Sequence, residues 1–116
     1  MNFAGVDSEV TKGGHMNIED CRPEVKAFAV AMEEQLRSND HKGYTGWANS
    51  NKGHLFKRLL EEAEELRRAS GTWCPTCGQD PGQTSNEKIR RKAADVSNFA
   101  MMIADRCGAL LAKGGA

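Results

Sequence analysis

The sequence predicts an all-α fold, a small helical bundle completed by homo-oligomerisation, and three observations carry that reading. Apolar residues recur at helical spacing in three separate stretches, each bounded by proline, capping or glycine signals. No stretch shows the two-residue alternation of a strand, and no internal repeat interrupts the pattern. A chain of 116 residues has a modest core and little material to enclose a site on every side. Leu55, Leu59, Phe99 and Met102 belong to apolar faces too extensive for three helices of one chain, so a homodimer or tetramer is expected.

Residues 1–20 mix glycine, charge and isolated apolar side chains without a period and read as a flexible arm. The first helix is expected from Pro23, suited to a first-turn position, to about Arg37, with Val25, Phe28, Ala29, Met32 and Leu36 on one face. His41-Lys42-Gly43-Tyr44-Thr45-Gly46-Trp47 is a loop carrying flat and cationic side chains, suited to stacking on a base or touching a phosphate; Trp47 serves equally well as a plug in the bundle. Ser50 or Asn51 caps a second helix ending near Ala69. Residues 70–85 form a Gly/Pro/Cys/Thr-rich insertion within a domain spanning 21–108. Thr84-Ser85-Asn86-Glu87 matches a capping box, with Thr84 as cap, opening a third helix that ends at Cys107-Gly108. Residues 109–116 are a short tail.

Composition excludes several classes of function. Sixteen basic and sixteen acidic residues leave no bulk charge to attract nucleic acid or an anionic membrane. No apolar run approaches the roughly 20 residues needed to span a bilayer, and the start lacks the order of a secretory signal; the chain is expected in the cytoplasm.

The informative feature is acid where apolar side chains belong. Helical spacing puts Glu62 in one row with Leu55, Leu59 and Leu66, with Glu65 one turn further on. The stretch Ala93 to Ala104 is apolar nearly all round yet carries Asp95 and Asn98 within one turn. An unpaired buried carboxylate costs several kcal/mol or more, so such groups persist only when paired, protonated or bound to a cation. Taken alone, the run Glu61-Glu62-Ala63-Glu64-Glu65 is what many solvated helices show. Its overlap with the leucine row, and the second acidic helix, point instead to a shared divalent ion. Clustered hard oxygens suit Mg²⁺ or Mn²⁺.

Glu61-Glu62-x-x-Glu65, followed by Ala93-Ala94-Asp95-Val96 and Asn98, resembles the signature of the MazG-like all-α nucleoside triphosphate pyrophosphohydrolases, E-E-x-x-E and then E-x-x-D. The likeness covers about residues 22–108. His41-Lys42-Gly43, Trp47 and the run Asp95 to Asp105 look most like the bacteriophage branch with the MazZ-type purine dNTP diphosphohydrolases. The resemblance implies cleavage of a (d)NTP, such as dGTP or another purine dNTP, to the monophosphate and pyrophosphate, in a host cytoplasm if the source is a phage. It also implies Glu62, Glu65 and Asp95 as metal ligands, with Glu61 and Glu62 catalytic, Glu61 orienting water or a further ion. Asn98, Lys42, Trp47 and Lys92 are then candidates for substrate contact. Lys92 stands where the pattern has the first glutamate of E-x-x-D. Three residues from Asp95, it shares that helix face and is expected to point at the site. This cation opens a second reading, a nucleotide-binding or regulatory homologue without turnover; a third is a helical protein-interaction module.

Trp73-Cys74-Pro75-Thr76-Cys77-Gly78 has the spacing of half a zinc knuckle. Cys74 and Cys77 are candidate ligands for a structural Zn²⁺. Completing the set requires Cys21, Cys107, a histidine or the same pair from another subunit. A reduced dithiol in a loop is the alternative.

Overall fold

A computed structural model describes residues 16–40, 46–78 and 82–110. His41, Lys42 and Tyr44 of the loop, most of the expected arm and all but two residues of the tail lie outside them. The described residues form an all-α arrangement of α1 (Pro23–Asp40), α2 (Lys52–Ala69) and α3 (Asn86–Arg106). At the end of the expected arm, Ile18–Asp20 form a 3₁₀ turn closed by Asp20 N–H to Asn17 O at 3.0 Å.

Helix α1 begins at Pro23, whose missing N–H costs nothing in the first turn. It runs past the expected end at Arg37 to Asp40, and in this last stretch the Ser38 hydroxyl and the Asn39 side-chain amide donate to Gln35 O, at 2.8 and 3.3 Å. Asn51 caps α2, its Oδ1 accepting from Gly53 N at 2.7 Å and His54 N at 3.2 Å. The helix closes in a Schellman motif, with Gly71 N to Arg68 O at 3.2 Å and Thr72 N to Arg67 O at 3.0 Å. Gly71 has φ +72°, and a Cβ there would lie 2.6 Å from Gln83 N. Glycine is required on both counts.

The expected cap of α3 is corrected by one residue: Ser85, not Thr84, accepts from Lys88 N, at 3.2 Å. Thr84 is drawn away because its amide and hydroxyl both donate to Ala69 O at 2.8 Å, satisfying a carbonyl at the end of α2. That bond and the Ser70–Gln83 bridge pinch together the ends of the 70–85 insertion. At the other end of the helices, Trp47 Nε1 donates to Asp105 Oδ2 at 2.9 Å and Arg106 Nε donates to Ser50 O at 3.1 Å. Helices α2 and α3 therefore run antiparallel.

Helix α3 is shared, packing against α2 most extensively and also against α1. Ala31, Ala69 and Ala94 allow close approach, and Leu55 and Met102 complete the buried apolar set. Glu62 and Asn98 are buried among them, only 4% and 3% exposed. The basis for expecting oligomers changes accordingly. Leu55 and Met102 are covered within the chain, whereas Phe56 and Leu60, one turn apart on α2, are more than half exposed. Among the described residues, no helix is long and apolar enough to cross a membrane.

Candidate functional site

Glu62 and Glu65 lie one turn apart on α2, and Lys92 and Asp95 one turn apart on α3. The antiparallel pairing brings the four together. Lys92 Nζ stands 3.7 Å from Glu62 Oε1 and forms a close ion pair with Glu65. From the other side, Arg58 Nη2 reaches Glu62 Oε2 at 3.2 Å, with its guanidinium 5.3 Å from the centre of the Phe99 ring. Asp95 is within hydrogen-bonding reach of Glu62. The three carboxylates singled out as metal ligands are thus neighbours, and Lys92 faces them as expected.

Electrostatics separates the carboxylates. Burial pushes the Glu62 carboxyl above the ordinary range, and Asp95 pushes it the same way; Lys92 opposes both. Glu65, more exposed, is held below the ordinary range chiefly by its bond from Lys92. Lys92 is stabilised as a cation by the same bond. Two oppositely shifted carboxylates beside one ammonium form a site in which proton and charge occupancy are coupled.

Hard oxygens on two helices are suitable donors for Mg²⁺ or Mn²⁺, and Glu62 is a buried acid whose ionisation needs cationic compensation. The residues fit a divalent ion in chemistry, with Lys92 as a local competitor for the same carboxylates. As arranged, no group of three or more His, Cys, Asp or Glu side chains among the described residues stands ready to hold a metal.

Glu61 lies on the exposed side of α2, paired with Arg58 and with Lys57, the latter at 3.8 Å. Its carboxyl is lowered first by the Arg58 hydrogen bond. Asn98 is set into the packing of α1 on α3, where Nδ2 donates to Met32 O at 3.1 Å and the buried Oδ1 has no hydrogen-bond partner among the described residues. Trp47 is not brought to the carboxylates. It is tied to Asp105, ten residues beyond Asp95 and so roughly 15 Å further along α3.

Beside the carboxylates lies an open cleft of about 420 Å³, lined by Glu65, Arg68, Lys88 and Lys92 with Gly82 and Thr84 from the insertion. Among its charged lining residues, Arg68, Lys88 and Lys92 outnumber Glu65. Arg58, Arg68 and Lys88 were missed by the sequence reading, although their spacing signals them. Arg58 and Lys88 lie four residues before Glu62 and Lys92, and Arg68 three after Glu65.

The Cys-x-x-Cys loop lies off the end of α2. Cys74 is half-buried, Cys77 exposed, and both are free thiols. The Cys74 thiol is lowered first by its bond from the Cys77 side chain and next by the Cys77 backbone N–H.

The chain matches no protein-family model, no curated protein and no solved structure.

Proposed function

We propose that this chain is a metal-dependent nucleoside triphosphate pyrophosphohydrolase acting on a (d)NTP, with a purine dNTP such as dGTP as the first candidate. The observation that carries the reading is the meeting of Glu62, Glu65 and Asp95 beside a cleft lined by Arg68, Lys88 and Lys92. Acids grouped next to cations suit a ligand that brings a divalent ion and a chain of phosphates together. The resemblance of Glu61-Glu62-x-x-Glu65 and Asp95 to the MazG-like signature supports the same reading.

In this reading Glu62, Glu65 and Asp95 would hold Mg²⁺ or Mn²⁺, and the ion would supply neutralisation of phosphate charge and activation of water. Arg68, Lys88 and Lys92 meet the phosphate oxygens. Lys92 exchanges its Glu65 partner for a phosphate, and its long stem permits that movement without a shift of α3. Glu61 turns from Arg58 and Lys57 to orient water. The exposed Phe56 and Leu60 offer a surface for a homodimer or tetramer.

Lys92 favours a second reading, a nucleotide-binding homologue without turnover, because the ammonium already satisfies Glu65. Pyrophosphate release from a dNTP panel with Mg²⁺ or Mn²⁺ separates the two. Metal-dependent release of pyrophosphate and monophosphate in equal amounts is expected. Saturable nucleotide binding without release would replace the enzymatic reading, and neither binding nor release would refute both.

A further inference from the structure

The Cys74–Gly78 turn takes no part in the carboxylate site, and its geometry has a chemistry of its own. Cys77 N–H donates to Cys74 Sγ at 3.3 Å, and Gly78 N–H donates to Cys74 O at 2.8 Å. Gly78 turns the chain back with φ +75°. The second thiol is thereby folded over the first, and a backbone amide is aimed at sulfur. An N–H directed at sulfur favours the thiolate, the form in which cysteine ligates metal. The base of the turn is anchored: Arg67 Nη1 donates to Thr72 O at 2.9 Å, next to the Schellman closure of α2.

Two thiolates are half of a closed tetrahedral set. Cys107 lies at the opposite end of the bundle, its sulfur 4.0 Å from Lys52 Nζ at the start of α2. That helix has 18 residues and is about 27 Å long, so neither Cys107 nor His54 at its first turn reaches the loop. Cys21 Sγ is engaged within its own segment by Met16 Sδ at 3.7 Å and Asn17 O at 3.8 Å. Among the described residues, no third His, Cys, Asp or Glu joins the pair. A second copy offers the same two thiols. The Cys77 side is exposed, and adjacent Trp73 presents an indole that is 56% exposed, an apolar surface for a symmetric contact.

We propose that Cys74 and Cys77 form one half of an intersubunit tetrathiolate zinc site, completed by Cys74 and Cys77 of a second copy related by a two-fold axis through the ion. Each ligating thiol loses its proton to solvent as its sulfur bonds the ion, with no change in oxidation state. Thiolate sulfur selects Zn²⁺ over the Mg²⁺ or Mn²⁺ suited to the carboxylates. The site joins chains and leaves the carboxylate chemistry to Glu62, Glu65 and Asp95.

The test uses the full reduced chain, stripped of metal and titrated with Zn²⁺ and, in parallel, Co²⁺ as a spectroscopic probe. One ion per two chains is expected, with the Co²⁺ spectrum of a tetrahedral four-thiolate centre. Zinc, but not magnesium, should shield Cys74 and Cys77 from alkylation while Cys21 and Cys107 react, as mapped by mass spectrometry. Cys77→Ser should abolish binding and protection while retaining helical circular dichroism. No binding, one ion per chain, fewer than four thiolates, or zinc retained by Cys77→Ser would each overturn the proposal. The alkylation map on unmodified protein keeps it testable even if the variant fails to fold.

Discussion

Replacing Lys92 with methionine preserves most of the stem and deletes the charge that faces two carboxylates. At 3.7 Å from Glu62, the lost attraction is about 4.5 kcal/mol gross at an effective dielectric constant near 20. Part of that is offset, because Lys92 no longer has to be desolvated and its side chain regains freedom. The Glu65 partner is 44% exposed and contributes a fraction of a kcal/mol after screening. A net loss of about 2 kcal/mol at neutral pH follows, or roughly 10 °C in Tm for a domain of this size.

The sign of the pH dependence is set by the two carboxylates. Glu62 has a raised folded pKa, so between its unfolded and folded values the folded chain holds a proton that the unfolded chain has released. Stability from this group grows as pH falls toward the ordinary carboxylate range. Without Lys92 that pKa rises further, and acidification restores more stability to the variant than to the wild type. Glu65, lowered by Lys92, contributes to the wild type above the ordinary carboxylate range and loses that contribution as pH falls through its folded pKa. Both effects narrow the gap at low pH. Urea unfolding of metal-free wild type and Lys92→Met at about pH 7 and about pH 4, below the ordinary glutamate value, measures it. A deficit below about 0.5 kcal/mol at pH 7, or an equal deficit at both values, would refute this account of the site.

Glu62→Gln and Asp95→Asn should each lower metal-dependent turnover by about a hundredfold or more, with unfolding midpoints unchanged or raised by relief of carboxylate repulsion; full activity would remove that residue from the chemistry. Lys92→Glu should tighten Mn²⁺ binding and raise the rate, and calorimetric titration against wild type reads it directly; identical affinities would mean that the site is complete without this position. Gly71→Ala should cost about 2–3 kcal/mol or more, since a left-handed residue meets Gln83 backbone at 2.6 Å. A midpoint within experimental error of wild type would show that the insertion yields freely.

Helical period is a local property, which is why much of the molecule was legible along the chain. Of the row Leu55, Leu59, Glu62 and Leu66, Leu55 and Glu62 are buried and Leu59 and Leu66 half-buried, while on α3, less buried than its apolar run suggests, Asn98 is buried and Asp95 half-buried. The carboxylates gave themselves away because charge in an apolar row violates the pattern that makes a helix pack. Cap and end signals placed α2 between Ser50 or Asn51 and about Ala69, and Asn51 proved to be the cap. The shift of the α3 cap to Ser85 came from a bond to another helix end, which Thr84 makes only once the insertion closes.

Interhelical register and side-chain reach decided the rest. Three-residue spacing placed Lys92 on the face of Asp95, but a lysine stem can carry its ammonium several ångströms; only the packing of α2 on α3 set that charge against Glu62 and Glu65. Arg68 and Lys88 are ordinary surface cations in sequence, and they line one cleft because α2 ends where α3 begins. Trp47 went to Asp105 because the turn before α2 meets the far end of α3. Sequence determined which residues violate a helix's apolar face; the antiparallel pairing of two helices determined which opposite charges answer them, since contacts across elements depend on distances that no local period contains.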